Sequence, residues 1–363
     1  MFNRREFLFS TLGTVTAAGL RAGAQAGPLP MGLNSYCLRA LNWSDAQLID
    51  YTASLKLDAI MLQDSLDSER ANPAHWREVG ERVKRAGLHI ETGIGAILPK
   101  TPAEFETITA NLRRGIEMAK AMGSPLCRCV LAADRDHLPP GPVDQHIESA
   151  VRVLKAVQPQ AEAAGVKIAL ENHKDLQAWE MREVITGAGK DFTGSLLDTG
   201  NPVFVMEDPM TTVEVLGPYA LTVHLRDSVV YETARGAAVQ WVPLGEGVVD
   251  FKRIVARVKE VCPPVYLYIK PITGRPPSVI PYLEPAFWER YPKARAADFA
   301  RFLALAKAGR PYDGHMVIED LPGRKTPEPF VAAIQFQQKD HMERGVEYGR
   351  KVLDLGVRWR RDS

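Results

Sequence analysis

Four polar side chains stand at matching places in the second half of this chain: Glu171 in VKIALENH, Asp198 in FTGSLLDTG, His224 in ALTVHLRD and Lys270 in PVYLYIK. Each ends a short run in which alternate residues are aliphatic, so each faces away from the aliphatic row. Two carboxylates and an imidazole meeting at one point make a cage for a divalent ion, Mn²⁺ or Mg²⁺ first, Co²⁺ or Zn²⁺ next. Such an ion polarises a carbonyl and stabilises the enediolate left when a proton departs from the adjacent carbon. A lone strand-end His or Asp is commonly a hydrogen-bonded structural residue, but four in consecutive strands ask for another explanation.

Lys270 complicates that cage. Two unit charges about 4 Å apart at an effective dielectric near 20 interact by roughly 4 kcal/mol, and a divalent ion doubles this. Three arrangements follow. Lys270 turns out to solvent or substrate and leaves a three-ligand ion; or its ammonium replaces the ion and pairs with Glu171 and Asp198; or it is a neutral base or imine former, its pKa lowered by a nearby cation. The first ranks ahead because Glu171, Asp198 and His224 are all retained.

The elements that must position these groups alternate regularly. Strands are expected at 31–38, 57–63, 88–95, 125–132, 166–173, 192–200, 220–227 and 264–270, with helical patterns between them. Ser44 reads as an N-cap, and Gly87, Gly123 and Gly165 fall where helix C-cap glycines belong. Eight uninterrupted β-α alternations predict an α/β fold, a (β/α)₈ TIM barrel, whose chemistry sits at the C-terminal strand ends. The strand of Cys127 and Cys129 is read as apolar core, and four cysteines give no disulfide framework.

The strings IALENH, LLDTGN, VHLRD and PLGEGVVDF resemble those of the sugar phosphate isomerase/epimerase superfamily, with its xylose-isomerase-like barrel, over roughly Met31 to Gly274. The resemblance implies that Glu171, Asp198 and His224 are metal ligands. It also implies a glutamate at the end of the eighth strand, where this chain has Lys270, and many relatives place a histidine where it has Asn201.

Candidates for acid–base roles are Glu171, Lys270, Glu91 in the third strand and His173, which shares a face with Glu171; Glu246 is a further acid or a loop cap. Arg226, Tyr36, Trp241 and Arg275 are candidates for substrate binding, with Trp43 a possible third aromatic of a stacking wall.

The first 26 residues read as a twin-arginine export signal: Arg4 and Arg5 precede Phe7-Leu8, a mildly apolar run and Ala24-Gln25-Ala26. That run is too short to span a bilayer, and export to the periplasm is expected. The barrel is expected over 27–310 and a C-terminal helical extension over 311–363. Within the barrel portion the helix at Ala294–Ala308 is expected to close the barrel, and in the extension the helix at Phe330–Leu355 is expected to cover its bottom or pack on a second subunit of a homo-oligomer. The proline- and aromatic-rich 271–294 stretch reads as a lid.

With 45 Lys+Arg against 44 Asp+Glu the net charge is +1, which offers no electrostatic footprint for nucleic acid. The expectation is a sugar or keto-sugar isomerase or epimerase working by proton abstraction beside a carbonyl. β-Elimination from a 3-keto-glycoside and a sugar-binding pseudoenzyme are the alternatives.

Overall fold

The computed structural model describes residues 27–63, 71–272, 274–314, 318–321 and 323–361. The expected export signal lies outside the described residues.

The alternation read from the sequence folds as β1 (Met31–Asn34), α1 (Asp45–Ser54), β2 (Ala59–Gln63), α2 (Pro73–Arg85), β3 (His89–Ala96), α3 (Phe105–Met122), β4 (Leu126–Val130), α4 (Val143–Ala164) and β5 (Lys167–Glu171). It continues with α5 (Ala178–Ala188), β6 (Thr193–Asp198), α6 (Pro209–Leu216), β7 (Ala220–Leu225), β8 (Asp227–Thr233), β9 (Gly236–Val242), α7 (Phe251–Val261) and β10 (Leu267–Ile269). β11 (Ser278–Ile280), α8 (Ala296–Ala308) and α9 (Glu328–Lys351) complete the order. Strands β1 to β7 and β10 pair in parallel and close into a barrel, with β10 joining β7 to β1.

Local signals act as read. Ser44 and Gln47 form a capping box at α1, and Gly123 and Gly165 end α3 and α4 in the left-handed region, at φ 79° and 66°. Inside the barrel a small cluster of Ala59, Met61, Leu126, Ala169, Leu196 and Tyr268 fills the space below the strand ends. Cys127 and Cys129 point the other way, into the larger core between strands and helices, as expected.

Three features differ from the expectation. The chain leaves β7 through the single residue Arg226 and enters a hairpin, β8 and β9, to which β11 adds an antiparallel third strand. Part of the anticipated lid is therefore a sheet strand, followed by a 3-10 helix over Pro285–Arg290. Second, α8 packs on β8 of this small sheet and does not close the barrel. Third, α9 lies directly on the barrel wall. A Cβ on Gly345 would come within 2.7 Å of Ile269 Cγ2, and one on Gly349 within 2.6 Å of Met31 Sδ. Two glycines one turn apart thus let α9 settle over β10 and β1. The helix assigned to the extension fills the slot of the eighth barrel helix, and Asp58 ties the following segment down by accepting from the N–H of Val357 (2.9 Å) and Arg358 (2.7 Å).

Candidate active site

The C-terminal ends of β5, β6, β7 and β10 carry the four residues singled out by their spacing. Glu171, Asp198 and His224 are buried, and their ligand-type atoms lie within 4.8 Å of one another, a group that could hold a metal ion. Lys270 points into that group. Its Nζ is 2.8 Å from Glu171 Oε1, 3.0 Å from His224 Nδ1 and 3.5 Å from Asp198 Oδ2. Of the three arrangements open in the sequence, the lysine turned outward is not the one adopted.

Further hydrogen bonds fix each member. His224 Nδ1 faces Lys270 Nζ, and its Nε2 lies 3.1 Å from Met61 Sδ and 3.3 Å from Asn34 Nδ2. Asp198 is held by Asn172, which accepts from its N–H at 2.7 Å and donates to its carbonyl at 2.9 Å. Asn201 donates to Glu171 Oε1 at 3.4 Å and accepts from Arg226 Nη1 at 3.1 Å, so this position supports the cage.

Two guanidinium groups complete the cluster. Arg226 Nη2 is 3.0 Å from Asp198 Oδ2, and the Arg226 side chain is fully buried. Arg128, on β4, donates from Nε to Glu171 Oε2 at 2.6 Å and from Nη1 to the Ile94 carbonyl at 3.0 Å. Sequence reasoning missed Arg128, although its signal was present: in Leu-Cys-Arg-Cys-Val the two thiols face outward, which sends the arginine inward.

The cluster therefore sets three cations against two carboxylates. Burial would raise Glu171, yet Arg128 and then Lys270 outweigh it and hold this carboxyl well below its usual range. Burial likewise opposes Arg226 and Lys270 at Asp198, and the cations win. Lys270 is itself lowered, by burial first and by Arg226 next, against the pull of both carboxylates.

Above the cluster opens a cavity of about 530 Å³, of a size suited to a small molecule. Lys270, Arg226 and Arg128 reach its floor, and Tyr36, His173, Lys174, Trp241 and Arg275 are among its walls. His173 Nδ1 is 2.6 Å from the Ala133 carbonyl. A carbonyl only accepts, so Nδ1 carries the hydrogen and Nε2 is bare. Burial pushes this imidazole down to about 3 despite Glu171, and Lys174, Arg128 and Arg226 add to the effect, so the ring is neutral at pH 7. The indole of Trp241, on β9, carries the Arg226 guanidinium 4.3 Å from its ring centroid.

Other candidates lie elsewhere. Glu91 sits inside the barrel below the cavity, 3.3 Å from His89, and does not line it. Trp43 packs on Tyr51 with ring centroids 5.0 Å apart and is no part of the cavity wall. Glu246 pairs with Arg344 and accepts from Tyr312 on the outer surface. Asp227 does not pair with Arg226. It accepts from the N–H groups of Ser228 (2.9 Å), Gly245 (2.9 Å), Gly247 (2.9 Å) and Val249 (3.2 Å), holding the Gly-Glu-Gly turn. A Cβ on Gly247 would lie 2.2 Å from Asp227 Oδ1, so that turn needs glycine.

Comparison with known proteins agrees with the barrel. Residues 49–262 match the model of the xylose isomerase-like TIM barrel family. No curated protein matches the chain by sequence. Among solved structures, a D-psicose 3-epimerase determined in the presence of D-fructose is 15% identical, with a TM-score of 0.59, covering 90% of this chain and 99% of that one. A xylose isomerase domain protein from Planctomyces limnophilus is 16% identical, with a TM-score of 0.54, covering 68% and 92%. A probable 3-DHS dehydratase from Bacillus anthracis is 16% identical, with a TM-score of 0.53, covering 67% and 92%. At these identities the likeness is one of fold.

Proposed function

The chain belongs to the xylose isomerase-like TIM barrel family, and from that premise we propose that it moves a proton beside the carbonyl of a small carbohydrate, with the Lys270 ammonium serving as the cation of its cage. The observation that carries this reading is the position of Lys270 Nζ, within 3.5 Å of Glu171, Asp198 and His224 together. A divalent ion held by the same three residues would lie beside that ammonium, at a cost of roughly 8 kcal/mol for charges about 4 Å apart at an effective dielectric near 20. Arg128 and Arg226 already engage the two carboxylates. As arranged, the residues do not fit a divalent ion, and the chemistry is assigned to the chain's own groups.

In this mechanism the carbonyl oxygen of the substrate accepts from the Lys270 ammonium. The bare Nε2 of His173 takes the proton from the adjacent carbon. The electron pair of the broken C–H bond forms the C=C bond of an enolate, and the carbonyl pair moves onto oxygen, where the ammonium stabilises the charge. When the hydroxyl proton of the adjacent carbon moves to the enolate oxygen and His173 delivers its proton to the former carbonyl carbon, an isomer results. When water delivers a proton to the opposite face of the original carbon and His173 releases its own proton to the hydroxide so formed, the product is an epimer. Departure of an alkoxide from the β carbon gives elimination. Glu171 and Asp198 orient Lys270 and keep it charged. Sugar-epimerase relatives in fold support the substrate class.

The test is proton exchange in D₂O, followed by NMR across aldoses, ketoses and 3-keto-glucosides. His173→Asn keeps an N–H for the Ala133 carbonyl but has no bare ring nitrogen. Exchange on the responding sugar is expected to fall about 10²–10⁴-fold in this variant. Undiminished exchange would remove His173 from the mechanism.

A further inference from the structure

We infer that the molecule bound in this cavity carries a negative charge, as a carboxylate or a phosphate, held by Lys174 and Arg275 while its carbonyl end reaches Lys270. The inference rests on the carbohydrate reading above and adds the charge of the substrate to it. Five cationic side chains line the cavity, namely Arg128, Lys174, Arg226, Lys270 and Arg275, and among the described residues no carboxylate does. Glu171 and Asp198 lie beneath the floor and are engaged by the inner three cations. The outer two are poorly compensated. Among the described residues Lys174 has a single carboxylate partner, Asp134 at 3.7 Å, and lies 5.3 Å from the Trp241 ring centroid. Arg275 has a buried Nη1 with no acceptor among the described residues. The acid that acts on Arg275 from nearby, Asp320, is already paired with Arg39.

The walls therefore offer a positive potential and an unused donor at the entrance. Burial lowers Lys174, and the repulsion of Arg226 and Arg275 adds to it against Asp134. Burial followed by Arg39 lowers Arg275 in the same way. A bound anion relieves this mutual repulsion, and a guanidinium fork matches the paired oxygens of carboxylate or phosphate. A neutral sugar leaves it unrelieved.

Four probes decide the matter by isothermal titration in low salt: D-glucose, D-glucuronate, D-glucose 6-phosphate and inorganic phosphate. D-glucuronate, D-glucose 6-phosphate or both are expected to bind at least tenfold more tightly than D-glucose. The better of the two identifies the anion as carboxylate or phosphate. The preference should vanish in the double variant Lys174→Gln, Arg275→Gln, with folding checked by circular dichroism. Should the double variant not fold, salt decides on the native chain: between 50 and 500 mM NaCl the affinity for the charged sugars should fall while that for D-glucose holds. Equal affinity for glucose and its charged derivatives overturns the inference and leaves the carbohydrate reading standing. Binding of inorganic phosphate without any sugar upholds the anion site and removes the carbohydrate reading. Binding of none of the four probes overturns both.

Discussion

Glu171→Ala should destabilise the protein by about 3–5 kcal/mol, the range found when one partner of a buried ion pair is removed. The size of the effect follows from what Glu171 balances. Its side chain has no exposed surface, accepts from Arg128 Nε at 2.6 Å and Lys270 Nζ at 2.8 Å, and lies 3.8 Å from Arg226 Nη2. Without it, three buried cations are left with Asp198 alone. Glu171→Gln keeps the shape and one acceptor oxygen, so its cost should be clearly smaller. The measurement is the denaturant midpoint of the three proteins, read with the slope to verify an unchanged unfolding transition. A loss below about 1 kcal/mol in Glu171→Ala would mean that the cations are balanced by groups other than Glu171.

Lys270→Glu is expected to create a metal site and remove the native chemistry together. The substitution takes away the ammonium that contacts all three cage residues and adds a carboxylate beside Glu171, Asp198 and His224. Without an ion, three carboxylates would crowd one pocket and the variant should melt below the native protein. With Mn²⁺ at a thousand times its dissociation constant, binding should return about 4 kcal/mol. Its melting temperature should therefore rise steeply with Mn²⁺, whereas that of the native chain should not respond. Proton exchange on the sugar should collapse in the metal-free variant because no ammonium faces the carbonyl. Equal responses of both proteins to Mn²⁺ would place residue 270 outside the cage.

Much of this site is legible in the sequence. Period-two alternation set Glu171, Asp198, His224 and Lys270 on one face of four successive strands, and that face is the barrel interior. What alternation does not carry is the direction of a long flexible side chain, so Lys270 stayed open between cage and solvent. Arg128 escaped notice because its neighbours, two thiols and two aliphatics, drew the whole strand into the core. The β8–β9 hairpin was missed because its turn, Thr233-Ala234-Arg235-Gly236, lacks the Asn-Gly or Asp-Gly signal of tight hairpins. Its absence from the reading hid the element that presents Trp241. The roles of α8 and α9 were exchanged because chain order favoured the earlier helix. The small-residue face that decides the matter, Gly345 and Gly349, becomes meaningful only against β1 and β10. The turn at Gly245–Gly247 was recognised as part of a resemblance, but its physical basis, four N–H groups converging on Asp227, required the fold.

The central claim is that Lys270 is the cation of the Glu171–Asp198–His224 cage. Isothermal titration of Mn²⁺ into the native chain, stripped beforehand with EDTA, tests it most directly. The account predicts no saturable binding up to millimolar Mn²⁺, because the ammonium and two guanidinium groups already satisfy both carboxylates. Uptake of one equivalent at micromolar affinity or tighter, lost in His224→Ala, would contradict it.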